Sequence, residues 1–410
     1  SEHRILFPNI PGPVHRGGVF RIILYPPRPM PRLSLLHQLK QHVRRHRSPL
    51  LTALTTRTTT TTTLATATSL DLQKLRETLD DHIVGQQDTK EAFLLGLLAR
   101  EHIYLEGPPG VAKTMIAEIA SLATSLDGWF YQMHRDTRLN ELIGESVIVR
   151  SQVDGVGEQI KHDVIKGGVL TCEIAVLDDI SRAPGEALNV LLRILQERKF
   201  GAMTSEKIPL MSAIATGNPV GEDGYYGDPL DPATLDRFTL QLKSTGLVAS
   251  GDWKQAKDVI DLYSGPRTLD DDPHVHKIKK SVVKDACSLV PLVVFSEEAK
   301  NVLLRLLRVL QEEYHCKEDN SLLTDRTFLV KAVSIMKANA ILNGRHVSEP
   351  NDLKVLRYMT TFRVPEAVHE QIDAIIERVI AQEEQENGGR GGDGSGSNED
   401  DDNSNNSNNQ

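Results

Sequence analysis

The 410-residue sequence is poor in aromatic residues, and it lacks both a basic excess and a long apolar run. Aromatic residues make up 5% of the chain, which argues against a surface on which nucleic-acid bases stack. The formal net charge of -9 argues against non-specific nucleic-acid binding, which depends on basic side chains. No apolar run reaches the roughly 18–20 residues of a membrane-spanning helix. We therefore expect neither a nucleic-acid partner nor a membrane span.

Cysteine is also scarce. Cys172, Cys287 and Cys316 are far apart and form no CxxC pair. This spacing favours reduced, partly buried thiols of an intracellular protein over a disulfide framework or a zinc site. The length is sufficient for two or three domains.

The N-terminal segment, residues 1–69, differs from the rest in composition. Only Glu2 is acidic before Asp71, arginine is scattered throughout, and Thr58 to Thr63 is an unbroken threonine run. An Arg-rich, hydroxyl-rich and acid-poor segment resembles a transit peptide, which predicts import into a chloroplast or mitochondrion. The alternatives are an untargeted disordered tail of a cytoplasmic protein and an artefact of a mis-called start. In each case we expect no packed fold in this segment.

The clearest motif is GPPGVAKT at 107–114, which follows a predicted strand at 102–105 and precedes a predicted helix at 115–126. A strand, a Gly-rich loop, Lys-Thr and a helix are the elements of a phosphate-binding loop. The glycines let backbone N–H groups surround phosphate oxygens, and the helix N-terminus adds partial positive charge. We predict that Lys113 contacts the β- and γ-phosphates and that Thr114 binds Mg²⁺. The alternative is a chance Gly/Pro turn, and Ala112 does depart from the second glycine of the motif.

A second motif is the apolar run 170–177, which ends in Asp178 and Asp179. A parallel strand carries its terminal carboxylate to the edge of the sheet where a phosphate loop lies. We predict that Asp178 holds Mg²⁺, directly or through water, and that Asp179 polarises the attacking water. The alternative is a strand that ends in a solvated acidic turn, which the phosphate loop upstream disfavours.

Two more polar residues lie next to predicted strands. Asn218 follows a strand at 208–216, where its amide is placed to orient a water near the γ-phosphate. Arg237 precedes a strand at 239–242, and a guanidinium neutralises the charge that spreads over a transferring phosphoryl group. We predict that Arg237 reaches the γ-phosphate of a neighbouring subunit.

Composition and periodicity divide the chain into four parts. Residues 70–246 alternate between strands and helices, with an irregular insertion at 135–168, and beyond Gly246 we predict helices alone. The end of the chain is rich in Gly, Asn, Ser and Asp, which predicts a disordered, solubilising acidic tail, with partner binding as the alternative. The predicted parts are a disordered segment 1–69, a core 70–246, a helical domain 247–382 and a tail 383–410.

These motifs together resemble the AAA+ ATPases, and within them the MoxR family and its RavA-like branch. The resemblance covers about 70–365 and implies an α/β fold: a P-loop core with a parallel sheet flanked by helices, followed by an all-α lid. It rests on IVGQ at 83–86, GPPGVAKT at 107–114, LDDISRAP at 177–184, ALNVLLRILQERKF at 187–200, ATGNP at 215–219, LDRF at 235–238 and TDRTFLVKAVSIMKANAILNGR at 324–345.

The resemblance also implies roles for individual residues. Asp178 is similar to the Walker B acid, Asn218 to sensor 1, Arg237 to the arginine finger and Arg326 to the sensor 2 arginine of the lid. The stretch 142–156 resembles the helix-2 insert, and the stretch 200–207 resembles the hairpin before sensor 1; both face the pore or substrate in this group. The residues that this resemblance and the phosphate loop assign to the nucleotide are Val84, Gly85, Gly107, Pro108, Pro109, Gly110, Val111, Ala112, Lys113, Thr114 and Met115.

The family resemblance implies a homo-oligomeric, hexameric ring that hydrolyses ATP with Mg²⁺ and acts as a chaperone or remodeller of protein complexes. Metal-centre or cofactor insertion is often the task, and proteins with a von Willebrand factor A domain are often the clients. Asp179 departs from the usual Glu and is one methylene shorter, and a small misplacement at a reacting centre can cost about a hundredfold in rate. The alternative is therefore a nucleotide-gated binding module with little turnover. A DNA-directed helicase loader is disfavoured by the acidic charge.

Overall fold

The computed structural model describes residues 66, 69–108, 110, 113–153, 157–201, 206–219, 230–247, 250–264, 276–323 and 325–390. These residues belong to one unit of the chain, 58–410. The predicted transit peptide up to residue 65, the loop residues Pro109, Val111 and Ala112, and the tail from residue 391 lie outside the described residues.

The first part of the described chain alternates between helices and strands up to residue 243. Its elements are α1 at 69–82, α2 (Gln87–Ala99), β1 (Ile103–Glu106), α3 (Lys113–Thr124), β2 (Gly128–Gln132), α4 (Leu139–Ile143), β3 (Gly144–Val153), β4 (Gly157–Lys166), β5 (Ile174–Asp178), α5 (Gly185–Glu197), β6 (Lys199–Phe200), β7 (Glu206–Lys207), β8 (Ser212–Gly217), α6 (Pro232–Leu235) and β9 (Leu240–Lys243).

Five of these strands form a parallel sheet in the order β2-β5-β8-β1-β9. Central strands are buried along nearly their whole length, as expected for a parallel sheet covered on both faces. One face packs against apolar residues of α2 and α3, and the other packs against α5. The predicted parallel core flanked by helices is therefore confirmed.

The register brings the carboxyl ends of the strands to one edge of the sheet. Gln132 is paired with Asp178, and Glu106 is paired with both Gly217 and Lys243. The residues that directly follow the strands consequently share this edge, which is where ligands bind in open α/β sheets.

The insertion at 135–168 is more regular than the sequence predicts. It contains α4 and a long antiparallel hairpin in which β3 pairs with β4 from Gly144↔Lys166 to Val153↔Gly157. Among the residues that the structure describes, the hairpin pairs with no strand of the main sheet, and Ile148 and Ile165 on it are exposed. The two strands carry little hydrophobic alternation in sequence, so periodicity does not reveal them.

The second part of the described chain is mainly helical. Its elements are α7 (Trp253–Tyr263), α8 (Lys280–Leu289), β10 (Val294–Phe295), α9 (Glu297–Glu312), α10 (Asp325–Leu342), β11 (Val347–Ser348), a 3₁₀ helix (Pro350–Leu356) that runs into α11 (Arg357–Thr360), α12 (Glu366–His369) and α13 (Ile372–Arg390). The prediction of helices alone was wrong in one detail, because β10 and β11 form a two-residue parallel pair. Strands this short show no sequence period.

The predicted start of the disordered tail at residue 383 was too early, because α13 continues to Arg390. Glu383 is buried, and its Oε1 accepts a hydrogen bond from Asn301 Nδ2 at 2.9 Å. Arg305 Nη1 donates to Glu386 Oε1 at 2.8 Å. These contacts with α9 stabilise the helical conformation of a polar segment, although its composition alone assigns that segment to the tail.

Cysteine chemistry and membrane segments add little to this architecture. Cys172, Cys287 and Cys316 are buried free thiols, and burial raises the pKa of Cys172 and of Cys287 to about 12. No helix among the described residues is long and apolar enough to cross a membrane.

Candidate functional site

A cavity of about 1190 Å³ opens at the carboxyl edge of the sheet. Its polar end is formed by residues at or just after the ends of β1, β2, β5 and β8, together with the first two turns of α3. These polar-end residues are Pro108, Gly110, Lys113, Thr114, Glu118, Gln132, Asp178, Asp179 and Asn218. The cavity therefore gathers the phosphate loop and the acidic strand end that the sequence places about 65 residues apart.

Lys113, the first residue of α3, is held by the strand ends around it. Its Nζ donates to Gly107 O at 2.5 Å, to Gly217 O at 3.2 Å and to Asn218 Oδ1 at 3.4 Å. Burial lowers the pKa of Lys113, and the negative charges of Asp178 and Asp179 oppose that shift. These three acceptors match the three donors of the ammonium group, so phosphate oxygens that bind Lys113 would replace one or more of them.

Glycine is required at Gly107 for this packing. A Cβ on Gly107 would lie 2.7 Å from the carbonyl oxygen of Ser244, which follows β9. Because that contact is with backbone, a side chain here would force the loop away from the edge strand.

Asp178 is oriented by a buried hydroxyl on the neighbouring strand. Thr216 Oγ1 donates to Asp178 Oδ1 at 2.5 Å and accepts a hydrogen bond from the Asp179 N–H at 3.2 Å. Thr216 is fully buried, so its hydroxyl has few other partners. The Thr216 side chain on β8 thus fixes the end of β5, where Asp178 and Asp179 lie.

The chemistry of this end suits Mg²⁺. Thr114 and Asp178 both line the cavity and offer hard oxygen ligands. Within the described ranges no group of three or more His, Cys, Asp or Glu residues is placed to hold a metal by itself. A magnesium ion that is bound through one or two protein oxygens together with substrate phosphates needs no such cage.

The carboxylate of Asp179 contacts two other side chains. Asn218 Nδ2 donates to Asp179 Oδ1 at 2.6 Å, and Arg182 Nε lies 3.4 Å from Asp179 Oδ2. The backbone of Asp179 has φ 53°, a left-handed conformation that Asp adopts more readily than most residues. Its carboxylate therefore points into a fixed position beside the strand ends.

The other end of the cavity is apolar. The residues there come from the segment before α2 and from α7 with the loop before it: Ile83, Val84, Leu247, Ala256, Val259, Ile260 and Tyr263. Tyr263 Oη lies within hydrogen-bonding distance of His82 O at 3.4 Å and of Met115 Sδ at 3.1 Å. A flat base fits a partly open apolar wall of this kind beside a polar phosphate end.

Gly85 supports this wall without lining the cavity. Its φ of +70° is a conformation that favours glycine, and a Cβ at this position would clash with the side-chain amide of Gln255 on α7. A side chain at residue 85 would therefore strain the backbone and require the Gln255 side chain to move.

The structure brings together most of the residues that the sequence assigns to the site, but not all. Val84, Lys113, Thr114 and Met115 line the same cavity as Pro108, Gly110, Asp178, Asp179 and Asn218. Arg237 lies outside it, before β9 at the opposite edge of the sheet, and donates a hydrogen bond to Gln196 at the end of α5. Arg326 is exposed near the start of α10 and does not line the cavity.

The sequence did not predict several of the residues that line the cavity. Gln132 ends β2 just as Asp178 ends β5, so the rule of shared strand ends would have found it. Glu118 lies one helical turn beyond Thr114 on α3. Ile260 and Tyr263 come from a separate helix, and no sequence signal indicates that this helix covers the cavity.

Two family models match the chain. The model described as an AAA domain of the dynein-related subfamily matches residues 102–238, and an AAA lid domain model matches residues 302–368. The first match runs from the residue before β1 to the second residue before β9, and the second covers most of the helical part from α9 to α12.

The chain is similar to several known proteins. An uncharacterized protein of Methanocaldococcus jannaschii is 27% identical over 70% of this chain and 70% of its own length. The protein named Chaperone MoxR1 of Mycobacterium tuberculosis is 32% identical over 39% of this chain and 40% of its own length. The crystal structure of a protein from Cytophaga hutchinsonii, described as a candidate ATPase, has a TM-score of 0.60 at 24% identity and covers 78% of this chain and 96% of its own.

The identity to the solved structure is low enough that the likeness shows the fold alone. The family matches add the domain type, and the curated relatives include proteins named MoxR in two bacteria. The chain therefore combines an AAA domain with an AAA lid, and it has MoxR-like homologues at modest identity.

Proposed function

We propose that this chain is a MoxR-type AAA+ ATPase that binds ATP with Mg²⁺ and hydrolyses it to remodel partner proteins. The observation that carries the proposal is the shared cavity: Lys113, Thr114, Asp178, Asp179 and Asn218 line one polar end beside an apolar wall. This combination suits a nucleoside triphosphate, whose phosphates need cations and N–H donors and whose base needs apolar contact.

Binding divides between the two ends of the cavity. Lys113 binds the β- and γ-phosphates, while Thr114 and Asp178 hold the magnesium ion, which when bound neutralises phosphate charge. The apolar wall that includes Val84 and Ile260 takes the adenine. Thr216 keeps Asp178 aimed at the metal position through its 2.5 Å hydrogen bond.

Hydrolysis needs a water that is polarised and aligned. Asp179 is the proposed base, and Asn218, which donates to Asp179 at 2.6 Å, orients that carboxylate and the water. Arg237 lies at the edge of the sheet opposite the cavity, so within one chain it cannot serve its own site. We therefore propose that Arg237 acts on a neighbouring subunit in a homo-oligomeric, hexameric ring, as an arginine finger.

The remodelling role and the class of client are proposed from the family resemblance and from the names of the relatives. The name Chaperone MoxR1 supports a remodelling role, and a client with a von Willebrand factor A domain is proposed from the family alone. Placement in the RavA-like branch, the sensor 2 role of Arg326 and import into an organelle remain predictions from sequence.

A second candidate function is a nucleotide-gated binding module with little turnover. The observation that favours it is the short side chain of Asp179, whose two oxygens already face Asn218 and Arg182. If these contacts persist with ATP bound, the carboxylate does not reach the attacking water. The module would still bind ATP and assemble.

One experiment separates the two functions. ATP affinity and phosphate release are measured on the purified chain over a range of protein concentrations, with Lys113→Met as the binding-deficient control. Turnover per chain that rises with concentration and vanishes in Lys113→Met supports the ATPase. Tight ATP binding with no turnover at any concentration, restored by Asp179→Glu, supports the module.

A further inference from the structure

A fully buried arginine joins the lid to the loop that carries Arg237. Arg363 follows α11 and has a side-chain exposure of 1%. Its Nη1 donates to Thr239 O at 2.9 Å, and its Nη2 donates to Phe238 O at 2.8 Å. Both acceptors belong to the short segment between α6 and β9.

A second cation of the lid binds the same segment. Lys331 on α10 donates from Nζ to Asp236 O at 3.0 Å, and Arg363 Nε lies 3.4 Å from Asp236 Oδ1. The lid therefore holds the backbone on both sides of Arg237, through the carbonyls of residue 236 before it and of residues 238 and 239 after it. The carbonyl of Arg237 itself is in none of these contacts, and its side chain reaches outward to Gln196.

General packing does not account for this arrangement. Burying a guanidinium costs free energy that its hydrogen bonds offset, and an apolar side chain of similar volume would fill the same space at less cost. What a guanidinium adds is a rigid fork of donors that fixes several carbonyls relative to one another. Arg363 also donates to Met359 O at 2.8 Å, so the fork is itself fixed within the lid.

We propose that Arg363, assisted by Lys331, is a positioning residue that sets Arg237 for the active site of the neighbouring subunit. This inference rests on the proposed ATPase function. A finger of this kind contributes about 10³–10⁵ in kcat, and a misplacement of about 1 Å can cost a hundredfold. The lid of one subunit thereby controls hydrolysis in the next, without touching that nucleotide.

The test uses Lys331→Met, which removes the ammonium group and keeps most of the length of the side chain, and Arg363→Lys, which keeps the charge and removes the fork. Lys337→Met is the matched control, because Lys337 lies on the same helix and donates to Pro291 O, far from Arg237 in the chain. ATP affinity, oligomer size and phosphate release are measured for each. Arg237→Ala is the reference for a lost finger.

We expect turnover to fall about tenfold to a hundredfold in Lys331→Met and Arg363→Lys, with ATP affinity and assembly as in the wild type and with Lys337→Met unaffected. Mixing either variant with Lys113→Ala subunits, which carry an intact finger but a defective site of their own, should restore turnover. A chain that is merely destabilised is not rescued by mixing. If Arg363→Lys does not fold, Lys331→Met carries the test.

Two results would overturn the inference while leaving the ATPase intact. One is wild-type turnover in Lys331→Met and in Arg363→Lys. The other is a loss of turnover that mixing with Lys113→Ala does not restore, or that accompanies weaker ATP binding. Failure of the proposed function is distinguishable from both, because the wild-type chain would then show no turnover at any concentration.

Discussion

Asn218 donates its side-chain amide to the carboxylate of Asp179 across the ends of two adjacent strands, with 2.6 Å between Nδ2 and Oδ1. The same Asn218 accepts a hydrogen bond from Lys113 through Oδ1 at 3.4 Å. One amide thus links the lysine that is proposed to bind the phosphates to the acid that is proposed to polarise the water. The amide nitrogen donates and the amide oxygen accepts, so neither Asp nor Leu at this position can make both contacts.

The role of Asp179 is tested by removing its charge. Asp179→Asn keeps the size of the side chain but cannot accept a proton, so we expect turnover to fall by about 10²–10⁴. ATP affinity should remain within about twofold, because Asp179 is not proposed to hold the metal or phosphates. Phosphate release and titration with labelled ATP measure the two quantities. A comparable loss of affinity would show that Asp179 acts in binding.

Thr216 offers a test of how Asp178, the proposed metal ligand, is oriented. Thr216→Val keeps the shape of the side chain and removes the hydroxyl that donates to Asp178 at 2.5 Å. We expect the Mg²⁺ concentration for half-maximal activity to rise about 10–100-fold, while Thr216→Ser behaves like the wild type. An unchanged Mg²⁺ dependence in Thr216→Val would remove this hydroxyl from the account.

The pKa of Lys113 predicts a pH dependence of ATP binding. In the protein without nucleotide, burial lowers the pKa of Lys113 below the ordinary lysine value of 10.5. The charged form of Lys113 is therefore lost at a lower pH than that of an exposed lysine. ATP binds the charged form, and its phosphates raise the pKa again. Affinity should therefore fall as pH rises toward 10.5, and binding should take up a proton there.

Calorimetry in two buffers of different ionisation enthalpy measures this proton uptake. Lys113→Arg is the control, because its guanidinium stays charged while other groups in the cavity titrate as before. Equal proton uptake by the wild type and Lys113→Arg would assign the effect to another group.

The apolar end of the cavity is tested through Ile260. This side chain is 68% exposed, so Ile260→Ser should leave the fold intact. Loss of its contact with adenine should cost about 1–2 kcal/mol, which is about a tenfold weaker affinity for ATP. Tripolyphosphate, which lacks the base, should bind both forms equally.

Leu304→Ser is the matched control for Ile260→Ser, since Leu304 is 56% exposed on α9 and does not line the cavity. An equal loss of tripolyphosphate affinity in Ile260→Ser would show that α7 affects the whole cavity and not only the base.

The sequence was sufficient to predict the parts of the site that lie at the carboxyl ends of the parallel strands. Lys113 and Asp178 each belong to a motif next to an apolar strand, and parallel strands bring such ends to one edge. The sheet and most of the helices follow from hydrophobic periodicity for the same reason. The phosphate loop and the acid pair therefore meet where the sequence predicts, although their roles in catalysis remain proposals.

The sequence was not sufficient where contacts join distant segments without a local pattern. Ile260 and Tyr263 lie on a helix whose position over the cavity depends on packing of the whole chain. Arg363 has no neighbours in sequence that mark it, yet it is among the largest fully buried side chains. Glu383 belongs to a segment whose composition indicates disorder, but ion pairing with α9 keeps it helical.

The central claim is that ATP bound at Lys113 and Asp178 is hydrolysed with Arg237 supplied by another copy of the chain. The most direct measurement is phosphate release by Lys113→Ala, by Arg237→Ala and by their equimolar mixture. Each variant alone should be inactive. The mixture should recover roughly one quarter of the wild-type rate per chain, because half of the chains keep the site and half of their neighbours keep the finger. A mixture as inactive as its components, or an Arg237→Ala variant as active as the wild type, would contradict the account.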